Sequence, residues 1–249
     1  MPTVNSPLQD IQLILFDLDG TLRHNRPSET HALLDYAAGL GAADAPKNRK
    51  ATLRWTHYYW AQSPELAEDI DRFPGFSQDF WLNYTVRSLH AFDCPDEMVQ
   101  ELAARVCRYM REEFKSESYV PTEVPKTLQA LKDAGFRLGV LSNRSKPYDK
   151  EIRDLGLADF FELVLAACEV EAWKPDPLIF LHGLERLGVP ANQAVYVGDN
   201  YFADVVGAKN AGLRPILLDP EEVFPDVDCV MIQCIADLLK TLPSNEQQR

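Results

Sequence analysis

Runs of consecutive apolar residues alternate with helix-period segments along most of the chain. The first run, Ile11-Gln12-Leu13-Ile14-Leu15-Phe16, is nearly all apolar and rich in strand formers. That is the pattern of a strand buried on both faces of a parallel sheet. Similar runs return at 136–141, 163–167, 194–197 and 215–218, with a weaker one at 229–232. Helical patterns separate them at 122–134, 147–155, 177–187 and 201–211, followed by Gly135, Gly156, Gly188 and Gly212. Glycine just past the last periodic residue is a helix stop. The alternation predicts βαβ units, hence an α/β fold built on a doubly wound parallel sheet, a Rossmann-like core.

The stretch 23–120 breaks this pattern and carries no convincing strand run. It predicts helices at 28–40, 46–62, 64–73, 77–92 and 95–115, with Ser28 and Ser63 as N-caps ahead of acidic first turns. The expected organisation is a core from 1–22 and 121–249, interrupted by an all-helical insert over 23–120. Pairs such as Trp55–Tyr59 and Phe80–Tyr84 have helical spacing, which makes most of the insert's aromatic residues its own core. The polar tail 243–249 is expected to fray.

Composition narrows the partners. With 46% hydrophobic and 25% charged residues, the 249-residue chain is globular rather than disordered. Its net charge of −13 repels phosphate backbones, so no nucleic-acid partner is expected, although a local basic pocket for one small anion is compatible with it. No apolar run approaches the roughly 18 residues of a membrane span. The first ten residues lack a signal-peptide pattern, so no membrane partner and a cytoplasmic location are expected. Five cysteines, odd in number and without a CxxC, read as reduced thiols. Nothing in the sequence sets the oligomeric state.

Four short segments each follow a strand: Asp17-Leu18-Asp19-Gly20-Thr21, Leu141-Ser142-Asn143, Trp173-Lys174-Pro175-Asp176, and Gly198-Asp199-Asn200-Tyr201-Phe202-Ala203-Asp204. Each alone has a bland reading. Asp17 and Asp19 suit a turn, Ser142-Asn143 a helix cap, Lys174 and Asp199 a solvated loop, and Asp204 an exposed helix face. Together they gather, because strand ends in a parallel sheet converge on one edge. Several carboxylates, a hydroxyl and a lysine in one crevice suit phosphoryl transfer through a covalent carboxylate–phosphate. A carboxylate and a phosphate about 4 Å apart repel by roughly 4 kcal/mol at an effective dielectric near 20. A hard cation such as Mg²⁺ offsets that repulsion.

In this order the four segments resemble those of the haloacid dehalogenase-like hydrolase superfamily, over more than half of the chain. The resemblance implies Asp17 as nucleophile and metal ligand. It implies Asp19 as general acid and base, with its carbonyl on the metal. Ser142 and Asn143 bind the substrate phosphate, Lys174 neutralises charge on nucleophile and phosphate, and Asp199 is a further Mg²⁺ ligand. Asp204 supports Lys174 or the metal's waters from behind. An insert after the first segment is similar to the helical type-one cap. The step from Asp199 to Asp204 is similar to the branch with N-acylneuraminate-9-phosphatase and pyrimidine 5′-nucleotidases. A halide leaves without a proton and an alkoxide does not, so Asp19 favours a phosphatase of small soluble phosphomonoesters. A phosphomutase, a 2-haloacid dehalogenase and a non-catalytic partner-binding protein stay open as alternatives. Arg23-His24-Asn25-Arg26 departs from many relatives, and its two arginines suit a second anionic group on a substrate.

Overall fold

The computed structural model describes Leu8 and residues 10–242, so the expected fraying at 243–249 lies outside the described residues. Its strands are β1 (Leu13–Phe16), β2 (His24–Arg26), β3 (Glu117–Tyr119), β4 (Arg137–Ser142), β5 (Leu163–Ala166), β6 (Ala194–Gly198), β7 (Arg214–Leu218) and β8 (Val230–Ile232). The chain divides into two compact units: Met1–His24 with Val120–Glu222 and Asp226–Arg249, and Asn25–Tyr119 with Val223–Pro225.

In the first unit six strands form one parallel sheet in the order β5-β4-β1-β6-β7-β8. The chain moves outward from β1 through β4 to β5, then crosses back to β6 on the other side of β1. The C-terminal end of β1 is therefore a topological switch point, the place where such sheets bind ligands. All four β1 residues are fully buried. Ile14 and Phe16 join one apolar cluster with Val124, Leu128, Ile152 and Leu238; Leu13 and Leu15 join the other with Ile179, Phe180 and Ala208. The continuous apolar runs follow from this burial on both faces.

The second unit holds helices α1 (Glu29–Gly39), α2 (Pro46–Trp60), α3 (Pro64–Arg72), α4 (Gln78–Ala91) and α5 (Asp96–Glu112). Ser28 and Ser63 cap α1 and α3, their hydroxyls accepting from the N–H of His31 and Leu66. Tyr59, Phe80, Phe92, Leu102 and Val106 belong to a core of this unit. The expectation of an insert without strands needs a correction: β2 and β3 pair as a two-stranded ribbon at its two ends. Three residues apiece are too few for alternation to register in a sequence. Arg26 lies over the Tyr119 ring at 4.5 Å and donates to its hydroxyl, so it is engaged within the ribbon.

The remaining helices are α6 (Glu123–Asp133), α7 (Asp149–Asp154), α8 (Pro177–Leu187), α9 (Val206–Asn210) and α10 (Leu238–Thr241). The helix expected over 201–211 starts as a π turn, Tyr201–Val205, before α9. All five cysteines are free. Among the described residues no helix is long and apolar enough to cross a membrane.

Candidate active site

The sheet register levels three of the four segments. Phe16 pairs with Val140 on one side and Val197 on the other. Asp17 is one residue beyond that level, and Ser142 and Asp199 are two. Three separate parts of the chain thus end side by side because the strands between them are in register.

Lys174 reaches this edge from the loop before α8 and is 3% exposed. Its Nζ donates to Asp17 Oδ1 at 2.6 Å, Asp204 Oδ1 at 2.7 Å and the Tyr196 hydroxyl at 2.9 Å. These use all three ammonium protons. Tyr196 in turn donates to the Leu141 carbonyl at 2.9 Å, which ties the lysine to β4 and β6. Burial works against the charge of Lys174, but Asp17 and Asp204 outweigh it and hold the ammonium well above its ordinary value.

One carboxylate oxygen from each of Asp17, Asp199 and Asp204 lies within 4.8 Å of the other two. Burial is the main force pushing Asp17 up to about 7; Lys174 opposes it and Asp204 adds to it. Asp199 is raised well above the ordinary carboxylate range by burial first, then by Asp204 and Asp17. Three acids against one lysine cannot all stay ionised at low cost, which is why two of them are pushed up; a hard divalent cation would take the place of those protons. Both oxygens of Asp204 already accept, one from Lys174 and one from the Asn200 N–H at 2.9 Å. Its geometry suits support of the lysine, whereas Asp17 and Asp199 are the pair suited to hold a metal.

Local backbone makes these approaches possible. Gly20 has φ +86°, and a Cβ there would sit 2.3 Å from an Asp199 oxygen. A Cβ on Gly198 would sit 2.2 Å from an Asp204 oxygen. Asn200 accepts from the N–H of Phe202 and Ala203, and its carbonyl accepts from Asp204, which starts the π turn that folds Asp204 back under β6. Thr21 donates to Asp199 at 3.3 Å.

The Asn143 side chain is spent on the Lys174 backbone: its Oδ1 accepts from the lysine N–H at 2.6 Å and its Nδ2 donates to the carbonyl at 2.9 Å. It braces the lysine loop, so any phosphate contact from this residue falls to its main-chain N–H. Ser142 closes β4 and is 4% exposed. Asp19 stands apart from the buried group, held by Arg23 and Arg144, with Arg144 Nε at 2.9 Å. Sequence reasoning missed Arg144, Glu151 and Tyr196. Arg144 directly follows Ser142-Asn143, a usable signal; Tyr196 reads as strand core and gives none.

The model of the haloacid dehalogenase-like hydrolases matches residues 11–212. A glyceraldehyde 3-phosphate phosphatase of Pyrococcus abyssi is 35% identical over 208 residues, covering 83% of this chain and 80% of that protein. The crystal structure of a HAD phosphatase from Thermococcus onnurineus is 27% identical with a TM-score of 0.54, over 94% of this chain and 99% of that one. A 2-haloacid dehalogenase from Pseudomonas syringae pv. Tomato DC3000 is 28% identical with a TM-score of 0.52, over 93% and 97%. With that match over most of its length, and with acid, lysine and sheet edge arranged as described, the chain belongs to the haloacid dehalogenase-like hydrolase family.

Proposed function

We propose that this protein is an Mg²⁺-dependent phosphatase of small phosphomonoesters, working in two displacements through Asp17. The observation that carries the reading is the buried Lys174 bonded to both Asp17 and Asp204, with Asp199 beside them. Lys174 holds Asp17 in place through Oδ1 and neutralises part of its charge. A carboxylate oxygen of Asp17 attacks phosphorus and the bond to the alcohol oxygen breaks. Asp19 gives that oxygen its proton. In the second step Asp19 takes a proton from water, the water oxygen bonds to phosphorus, and the Asp17–phosphorus bond breaks to release inorganic phosphate. Asp17, Asp199 and the Asp19 carbonyl would hold Mg²⁺, which would supply positive charge where the phosphate meets the Asp17 carboxylate.

Asp19 separates this reading from halide displacement, which needs no proton donor. Relatives named glyceraldehyde 3-phosphate phosphatase and phosphoglycolate phosphatase support a small ester as substrate. The test is turnover of p-nitrophenyl phosphate and a panel of phosphate esters, with Mg²⁺ and with EDTA, for wild type and Asp17→Asn. The expected result is metal-dependent release of phosphate that Asp17→Asn lowers by several orders of magnitude. Turnover of a tenth or more in that variant, with deamidation excluded, would sink the covalent mechanism.

A further inference from the structure

Both carboxylate oxygens of Asp19, the proposed acid, are held by arginines. Its Oδ1 accepts from Arg23 Nη1 and from Arg144 Nη2, the latter at 2.9 Å, and its Oδ2 accepts from Arg144 Nε at 2.9 Å. Both guanidiniums are shared with Glu151: Arg144 Nη1 donates to Oε2 at 2.9 Å, and Arg23 Nε lies 3.6 Å from Oε1. The Tyr148 ring lies 5.6 Å from the Arg144 guanidinium. The side chains of Arg23 and Arg144 remain 19% and 27% exposed, so the cluster meets solvent on one side.

Two cations and two anions balance in this arrangement. When Asp19 turns toward a leaving oxygen, the two guanidiniums lose that carboxylate and keep Glu151. An incoming anion restores the balance, and a planar carboxylate matches the fork that the Asp19 carboxylate fills. In a chain of net charge −13, two arginines converging beside the nucleophile strand are the local positive charge that a doubly anionic substrate needs.

We propose that Arg144 and Arg23 bind a carboxylate on the alcohol part of the phosphomonoester, and that this carboxylate displaces Asp19 from the guanidiniums and frees it for the leaving oxygen. The inference rests on the phosphatase reading above and adds the substrate class. Binding and release of the acid are then one event, so esters lacking the carboxylate leave Asp19 parked on the arginines.

The test compares 2-phosphoglycolate with 2-hydroxyethyl phosphate, which differ only in carboxylate against hydroxymethyl. Wild type should favour the carboxylate by roughly 10- to 100-fold in kcat/KM, the scale of a charge-assisted hydrogen-bonded pair. Arg144→Met should bring that ratio near one. Arg144→Lys, which keeps charge but lacks the fork, should retain part of it. Glu151→Gln removes the competing acid and should lower KM for 2-phosphoglycolate severalfold, a direction that a merely structural ion pair does not give. Circular dichroism checks that each variant folds; if Arg144→Met does not, the other two decide. A wild-type ratio near one, a ratio unchanged in Arg144→Met or Arg144→Lys, or a raised KM in Glu151→Gln overturns the inference alone. Wild type inert on both esters and on p-nitrophenyl phosphate overturns the phosphatase reading, and the inference with it.

Discussion

In the proposed mechanism, Asp19 is the residue on which hydrolysis of an ester, rather than displacement of a halide, depends. Asp19→Asn removes proton transfer but leaves the Asp17 attack in place, and general acid–base help is worth about 10²–10⁴-fold. The first step should therefore suffer most with a carboxylated alkyl ester such as 2-phosphoglycolate and least with p-nitrophenyl phosphate, whose phenolate leaves unaided. Stopped-flow absorbance should show a nitrophenol burst followed by a stalled phosphoenzyme; equal modest losses with no burst would reduce Asp19 to a turn residue. His24 gives a pH prediction. Burial holds its imidazole below the ordinary value of 6.5, against weaker upward pulls from a main-chain bond at Thr21 and from Glu123. As pH falls through about 6.5 the unfolded chain takes up the proton first. The stability that His24 contributes is thus complete above that pH and is lost on acidification toward its folded value. Urea unfolding from pH 7.5 to 5 should lose less stability in His24→Gln than in wild type; identical slopes would contradict this.

Helices α2, α3 and α4 are tied by a polar group centred on the buried Asp69. The Tyr59 hydroxyl donates to Asp69 Oδ2 at 2.9 Å, and Arg87 Nη2 donates to Asp69 Oδ1 at 2.9 Å. Asp69 is 1% exposed, so it depends on both partners. Tyr59→Phe keeps the ring packing and removes one of them, and should cost about 1–2 kcal/mol. Denaturant unfolding of the helical unit measures it, and a change under a few tenths would mean the hydroxyl contributes nothing. The elements also show what periodicity misses. The 201–211 segment reads as one helix, yet its first turn is a π turn because Asp204 must fold back beneath Gly198 to reach Lys174. The β2–β3 ribbon went unseen because pairing between distant three-residue segments leaves no local signature.

At the scale of the whole molecule, the proposed metal site ties stability to the clustered acids. Asp17, Asp199 and Asp204 repel one another at the switch point, with Lys174 as the neutralising side chain among them. A cation bound at Asp17 and Asp199 binds the folded chain and not the unfolded one. At a hundred times its dissociation constant it stabilises by about 2.7 kcal/mol. For a unit of this size that raises the unfolding midpoint by roughly 5–10 °C. Scanning calorimetry with and without Mg²⁺ should show the rise in wild type and its loss in Asp199→Asn. An equal rise in both would place the ion elsewhere.

The sequence by itself determined the alternation of buried strand and helix, the helical stretch that interrupts it, and the four segments whose acids and lysine meet at the sheet edge. These are local properties: apolar runs, glycine stops, and acids, serine and lysine directly after strands. Ser28 and Ser63 were legible as caps for the same reason, since a cap acts within one turn. What only the tertiary structure decided depends on residues far apart in the chain. The register of β1 with β4 and β6 sets Asp17 beside Asp199. Tyr196, a core strand residue by pattern, becomes the third partner of Lys174. The Asn143 side chain becomes the brace of the lysine loop. Arg144, 125 positions from Asp19, becomes its clamp because strand ends remote in sequence finish side by side at one edge of the sheet.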